Sequence, residues 1–180
     1  FRAAYDEAIR WRFVTAGAFT PRRPDGVVDL SGVVKALAMD AAGALLDASG
    51  AGAWCLNVGG DVLVAGASSG GAWRAGVVDP HDRRAVLAAL ELGPGRRALA
   101  TSGTAERGEH VWRLGADDRF CQVSVVADDI VTADVWATAV LAGGLETLQN
   151  AAARPGIEVL ACGAQGEFWS TEAFRDPRAA

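Results

Sequence analysis

A carboxylate and a hydroxyl stand four residues apart in segment 133–138, which reads A-D-V-W-A-T. The apolar continuation at 139–142 favours a helix, and a helix places Asp134 and Thr138 on one face, one turn apart. Two such oxygens form half of a site for a hard cation such as Mg2+, which takes oxygen ligands. An exposed aspartate and a threonine bonded back to its own helix fit the same spacing, and spacing alone favours that alternative.

Segment 29–35, which reads D-L-S-G-V-V-K, joins a predicted strand to the start of a predicted helix. Ser31 is the predicted N-cap. Free backbone N–H groups at a helix N-terminus favour an anionic ligand such as a diphosphate, and Lys35 could offset part of its charge. An ordinary capped helix with a solvated lysine explains the same residues.

A glycine pair interrupts the strand pattern in segment 57–61, which reads N-V-G-G-D. Gly59 and Gly60 allow the backbone to approach a ligand closely because they carry no side chain. The pair is predicted to form a tight turn or a bulge between two strands, and a glycine pair in a strand more often marks a bulge. Asp61 is either a second carboxylate near the metal or a turn residue, and Asn57 precedes the pair.

Three further polar side chains have types that suit phosphate or proton chemistry. Thr101 and Ser102 end a predicted strand, where their hydroxyls suit contacts to phosphate. Histidine, with an unperturbed pKa of about 6.5, suits proton transfer, which makes His110 a candidate, although a lone strand histidine is more often packed or at the surface. Nothing in the sequence indicates a nucleophilic triad.

In this order and at these distances, the blocks resemble the ApbE family of FAD:protein FMN transferases over about residues 17–144. The family's blocks read roughly D-L-G-G-I-A-K, N-A-G-G-D, A-T-S-G-x-x-E-R, H-I-I-D-P and A-D-x-x-A-T. Their counterparts here are segments 29–35, 57–61, 100–107, 110–114 and 133–138. The resemblance implies Mg2+ as cofactor, FAD as substrate, and an acceptor protein whose Thr or Ser hydroxyl receives FMN while AMP is released.

The resemblance also implies a role for individual residues. Mg2+ is expected to bind Asp134, Thr138 and the backbone carbonyl of Val34, and His110 and Asp61 are the expected catalytic residues. Thr20 stands where the family's G-A-F-D segment has its aspartate. The expected FAD contacts are Ala18, Phe19, Thr20, Ser31, Lys35, Leu37, Asn57, Gly59, Gly60, Thr101, Ser102 and Trp112.

Two blocks depart from the family pattern. Arg113 and Leu114 stand where the family has Asp-Pro, and Thr104 and Ala105 replace a pair that usually contains an aromatic residue. These departures bear on catalysis more than on nucleotide binding. An FAD pyrophosphatase that uses water, a flavin-binding protein without catalysis, and a structural domain without flavin are therefore the alternatives.

Composition narrows the class of partner. The net charge of −5 and the lack of a concentrated basic segment argue against nucleic acid. No run approaches the roughly 18 apolar residues of a membrane span.

Cys55, Cys121 and Cys162 lie far apart in apolar segments and are predicted to be buried free thiols. The chain starts at Phe1 inside a predicted helix, so we expect residues before it. Cytoplasmic and envelope locations both stay open.

Hydrophobic periodicity predicts the elements that must position these side chains. Helices are predicted at 3–14, 33–48, 132–143 and 145–153. Strands are predicted at 27–30, 53–58, 61–66, 72–78, 86–92, 98–102, 110–114, 120–127, 158–162 and 166–170. Runs of strands with fewer helices predict an α+β fold with a largely antiparallel sheet and packed helices. No repeat or linker divides the chain, so one domain is predicted over 1–180.

Overall fold

A computed structural model gives the structure of residues 1–104 and 119–174. This part of the chain contains the helices α1 (Arg2–Val14), α2 (Ser31–Ala48) and α3 (Ile130–Ala152). Its strands are β1 (Trp54–Val58), β2 (Asp61–Ala65), β3 (Trp73–Val78), β4 (Val86–Leu92), β5 (Ala98–Gly103), β6 (Phe120–Ala127), β7 (Glu158–Gly163) and β8 (Phe168–Ser170). A short 3-10 helix follows at Glu172–Phe174.

Six strands form one sheet in the order β1-β2-β5-β6-β7-β8. Every neighbouring pair in this sheet is antiparallel. Strands β3 and β4 form a separate antiparallel hairpin. The predicted α+β fold with a largely antiparallel sheet is therefore confirmed.

The two faces of the sheet are covered by different elements. Helix α3 packs along β5 and β6 and also contacts α2, so helices cover one face. Side chains of opposite parity, including Val64, Leu99 and Val126, pack on the other face against Val77 and Leu90 of the β3–β4 hairpin. Because successive strand residues point to opposite faces, the apolar runs in β5 and β6 are buried on both sides. We call these two sides the helix face and the hairpin face.

The chain before α2 differs from the sequence prediction. The strand predicted at 27–30 is wrong, because among the described residues this segment makes an isolated bridge between Arg22 and Val28 and joins neither sheet. Ser31 is the first residue of α2 and Leu30 is the N-cap, so the predicted Ser31 cap is also wrong. Asp29 accepts the Ser31 N–H at 2.9 Å instead, a local side-chain-to-backbone bond that short acidic residues form readily.

The predicted boundary between the last two helices falls at Gly144 inside α3. This residue has φ 68° and ψ −151°, which interrupts the helical geometry and suits glycine. Asp129 caps α3 by accepting the Thr132 N–H at 2.7 Å. The strand predicted at 110–114 lies outside the described residues. Within the two described ranges, no helix combines the length and the apolar character needed to cross a membrane.

Candidate functional site

A cavity of about 670 Å³ wraps around one end of the central sheet. Its helix-face wall comes from the start of α2 and from α3. Its floor comes from the β1–β2 turn and the end of β5, and its hairpin-face wall comes from β3 and the turn after it. The cavity therefore brings together residues from Ala18 to Ala142, which are more than a hundred positions apart in the sequence.

Asp134 and Thr138 both line this cavity, so they share one face of α3 as their helical spacing predicted. Asp134 is buried, with 4% of its surface exposed. Thr138 Oγ1 lies 3.0 Å from Ser102 Oγ at the end of β5. Two hydroxyls and a carboxylate therefore meet where α3 crosses the end of the sheet. The alternative of an exposed aspartate is wrong because α3 packs its Asp134 face against the rest of the fold.

Lys35 connects the two buried carboxylates. Its ammonium forms an ion pair with Asp61 Oδ2 and lies 3.7 Å from Asp134 Oδ1. Asp61 is completely buried, and its Oδ1 accepts the Thr101 N–H at 3.1 Å. Asp61 is not among the cavity-lining residues, whereas Lys35 is. Asp61 therefore positions Lys35 and the end of β5 through buried contacts beneath the cavity surface. Its catalytic role stays a prediction.

The glycine pair forms the β1–β2 turn and not a bulge. Val58 pairs with Asp61, and Gly59 and Gly60 have φ values of 61° and 93°. Two consecutive positive φ values suit a two-residue hairpin turn, which explains why both positions carry glycine. Asn57 Oδ1 accepts the Gly60 N–H at 3.2 Å. Asn57, Gly59 and Gly60 all line the cavity.

The segment before α2 contributes three further predicted residues. Ala18, Phe19 and Thr20 line the cavity, and Thr15 Oγ1 accepts the Phe19 N–H at 3.0 Å. A Cβ at Gly32 would lie 3.1 Å from the Phe19 ring, so glycine there allows this ring to pack closely against α2.

At the start of α2, Ser31 lines the cavity but gives its N–H to Asp29. A carboxylate at this helix N-terminus lowers its attraction for a diphosphate. Lys35, one turn further along α2, also lines the cavity and brings a positive charge.

The remaining predicted residues divide into three groups. Thr101 and Ser102 line the cavity, although the Thr101 hydroxyl also bonds Ser124 Oγ at 2.8 Å. Leu37 and Val34 are not lining residues; Leu37 packs on the core and Val34 is exposed. His110 and Trp112 lie outside the described residues.

Sequence reasoning missed the hairpin-face wall. Arg74, Gly76 and Val78 of β3 line the cavity, with Asp79 in the following turn and Gln122 of β6. The alternation in 72–78 predicted the strand but gave no sign of which edge would face a ligand. The one signal available in the sequence was Arg74, a positive charge at an exposed position of this predicted strand.

Sequence reasoning also missed a carboxylate and a thiol in the cavity lining, those of Asp29 and Cys55. Asp29 lines the cavity beside the start of α2. Cys55 also lines it and is exposed, so its predicted burial is wrong. Partial burial nevertheless raises the pKa of the Cys55 thiol. Cys162 is buried as predicted, and desolvation raises its pKa to about 12.

The donor set at the helix face fits Mg2+ in its chemistry. Asp134 supplies a carboxylate, and Thr138 and Ser102 supply hydroxyl oxygens, which are ligands that hard cations prefer. Lys35 forms ion pairs with both buried carboxylates, Asp61 and Asp134, so a cation at this place would share the Asp134 carboxylate with the Lys35 ammonium. Among residues 1–104 and 119–174, no three His, Cys, Asp or Glu residues form a metal-binding group. The predicted site therefore depends on one carboxylate with neutral oxygens.

Taken together, the fold and the cavity define an α+β protein with an oxygen-rich, cation-compatible pocket at the end of an antiparallel sheet. A sequence model of the ApbE family matches residues 3–161. This chain belongs to the ApbE family. The match covers most of the chain and includes α1, the cavity segments and β7 up to Ala161.

Two curated relatives are named FAD:protein FMN transferase. The protein of Rhodobacter capsulatus is 32% identical over 174 residues, which cover 90% of this chain and 33% of that protein. The protein of Salmonella typhimurium is 28% identical over 162 residues, which cover 82% of this chain and 46% of that protein. The chain thus spans between a third and a half of the length of these relatives.

Solved structures of ApbE proteins share the fold. The ApbE protein of Thermotoga maritima superposes with a TM-score of 0.78 at 20% identity, covering 96% of this chain and 76% of that one. The flavin transferase ApbE of Vibrio cholerae gives 0.76 at 23% identity, covering 96% and 75%. At these identities the likeness establishes the architecture, and the activity must be argued from the site.

Proposed function

We propose that this chain is a Mg2+-dependent FAD:protein FMN transferase, which moves FMN from FAD to a Thr or Ser hydroxyl of an acceptor protein. The observation that carries the proposal is the meeting of Asp134, Thr138 and Ser102 oxygens beside the Lys35 ammonium in one cavity. The names of the two curated relatives support the same reaction.

The reaction exchanges one phosphorus–oxygen bond for another. The acceptor hydroxyl oxygen forms a bond to the phosphorus of the FMN half of FAD. The phosphoanhydride bond to AMP breaks, and its electron pair leaves with the AMP phosphate. The hydroxyl proton passes to a base, for which His110 is the residue predicted from the sequence.

The side chains of this cavity have separable tasks in that exchange. Lys35, held in place by Asp61, offers a fixed positive charge toward the diphosphate. Asp134 and Thr138 would hold Mg2+, with the Val34 carbonyl as the third ligand implied by the family resemblance. Bound Mg2+ would neutralise diphosphate charge and stabilise the departing AMP. The Gly59-Gly60 turn leaves backbone without side chains along the cavity floor.

The direct test measures AMP and FMN released from FAD in Mg2+, with and without a pool of nonapeptides that each carry one central Thr or Ser. Asp134→Asn keeps the side-chain shape and should lower AMP release roughly 100-fold or more, because it removes the charged ligand. Glu146→Gln is the matched control, since Glu146 is an exposed carboxylate on the same helix. It should leave the rate unchanged.

The products distinguish the alternatives. FMN attached to peptide supports transfer, whereas free FMN and AMP at the same rate without peptide indicate a pyrophosphatase. FAD that binds without releasing AMP indicates a flavin-binding protein. A rate that is equal in the unaltered chain and in Asp134→Asn contradicts the metal assignment.

A further inference from the structure

The hairpin strand β3 presents a backbone edge to the cavity. Its residues Arg74, Ala75, Gly76, Val77 and Val78 all line the cavity without a gap. A strand that used only one side-chain face would contribute every second residue, as β1 does with Cys55 and Asn57. Consecutive lining residues therefore show that the edge itself faces the cavity.

Two hydrogen bonds fix which backbone groups point toward the cavity. Asp79 N–H donates to Ala85 O across the hairpin, so Asp79 faces the β4 side. The Val78 carbonyl accepts from Gln122 Nε2 at 2.9 Å, so Val78 faces away from β4. The register shift between Val77 and Val78 places its extra residue, Leu87, in β4, so the alternation along β3 is unbroken. Because successive strand residues direct their N–H and C=O groups to opposite edges, Gly76 and Arg74 also face away from β4.

This edge is unpaired in the described part of the chain. There β3 has β4 as its single strand partner. The start of the edge is fixed by Trp73 Nε1, which donates to Ala65 O at 3.1 Å, and its end is fixed by Gln122. Between these two anchors, the N–H and C=O groups of Arg74 and Gly76 repeat about every 7 Å.

We propose that the free edge of β3 binds the acceptor polypeptide as an added extended strand. The inference rests on the proposed transferase function, because that function requires a polypeptide substrate whose hydroxyl enters this cavity. Donors and acceptors that alternate along a strand edge match a polypeptide backbone, whereas a dinucleotide has no such repeat. Gly76 is exposed, and a Cβ there would lie 3.3 Å from Val86 Cγ1 of β4, so glycine at this position accommodates the partner strand and adds no side chain beside the edge.

Proline substitution on the two edges of the hairpin tests this docking mode. Arg74→Pro removes an N–H that points into the cavity, whereas the β3–β4 ladder keeps its bonds. Arg74→Ala removes the same charge and keeps the N–H. Glu91 is the cross-strand partner of Arg74, and its N–H faces the outer edge of β4. Glu91→Pro with Glu91→Ala is therefore the matched control pair.

The measured quantity is kcat/KM for FMN transfer to a peptide selected from the Thr/Ser nonapeptide pool. We expect Arg74→Pro to be about tenfold or more below Arg74→Ala, because one hydrogen bond is lost and a ring obstructs the edge. Glu91→Pro should equal Glu91→Ala. The affinity for FAD, from calorimetry, should differ less than twofold between Arg74→Pro and Arg74→Ala. Single N-methylation along the peptide should impair transfer at alternate positions.

The outcomes separate this proposal from the function on which it rests. An unaltered chain that releases no AMP from FAD in Mg2+ overturns both. Transfer that is equal in Arg74→Pro and Arg74→Ala overturns the docking mode alone. A loss of FAD affinity as large as the loss of transfer assigns the edge to the nucleotide and also overturns it. Thermal unfolding of all four variants identifies any general loss of folding.

Discussion

The Lys35–Asp61 ion pair should respond unequally to removal of its two members. Asp61 is completely buried, whereas the Lys35 side chain keeps 22% exposure and a second carboxylate at 3.7 Å. Lys35→Met leaves a buried carboxylate without its counter-charge, which should lower the free energy of unfolding by about 3–5 kcal/mol. Asp61→Asn leaves an ammonium that water and Asp134 still reach, so we expect a smaller loss of about 2 kcal/mol.

The double variant Lys35→Met with Asp61→Asn should be less destabilised than the sum of the two single variants. It removes both charges of the Lys35–Asp61 pair together, and the amide oxygen of the introduced asparagine can still accept the Thr101 N–H. We therefore expect a coupling energy of about 2–3 kcal/mol.

Urea unfolding followed by circular dichroism measures these free energies. Chelator in the buffer keeps divalent cations from adding binding energy to the native state. The control cycle uses Arg2 and Asp6, an exposed pair at 3.8 Å, for which additive effects are expected. If the Lys35 and Asp61 effects also add, or if Asp61→Asn is the more damaging change, the pair does not have the burial argued here.

Three further results are expected from the site. FAD should protect Cys55 from maleimide, as read by mass spectrometry, because Cys55 lines the cavity; the raised pKa of its thiol should make the unprotected reaction accelerate as the pH rises. FAD should bind more tightly than FMN in calorimetric titrations with Mg2+, and equal affinities would mean that the site around Lys35 does not bind the diphosphate. Arg113→Asp with Leu114→Pro should raise FMN transfer if segment 110–114 has simply lost the family's Asp-Pro pair, and should lower it if Arg113 binds a phosphate.

Local patterns were sufficient to predict the parts of the site that depend on one element. The spacing of Asp134 and Thr138 placed both on one helix face because helical periodicity is a property of the segment itself. Gly59 and Gly60 predicted a turn or a bulge for a similar reason, since only their own φ values decide the backbone path. The alternation and apolar runs of the strands likewise predicted the antiparallel α+β architecture.

Contacts between distant segments could not be predicted in the same way. The pairing of Lys35 with Asp61 joins α2 to β2, and its geometry depends on how α2 packs on the sheet. The open edge of β3 depends on the hairpin lying apart from the main sheet, and strand propensity contains no information about edges. The predicted strand at 27–30 is wrong because a strand needs a partner, and within residues 1–104 and 119–174 this segment has one isolated bridge, between Val28 and Arg22.

The location of a divalent ion in crystals grown with FAD and Mn2+ tests the central claim most directly, because anomalous scattering identifies the ion without reference to activity. We predict one peak in the cavity, bonded to the Asp134 carboxylate and the Thr138 hydroxyl, with the FAD diphosphate beside it and Lys35 still paired with Asp61. The same crystals of Asp134→Asn should lose that peak. A Mn2+ peak away from Asp134, or one that persists in Asp134→Asn, would contradict the metal site and the transfer mechanism built on it.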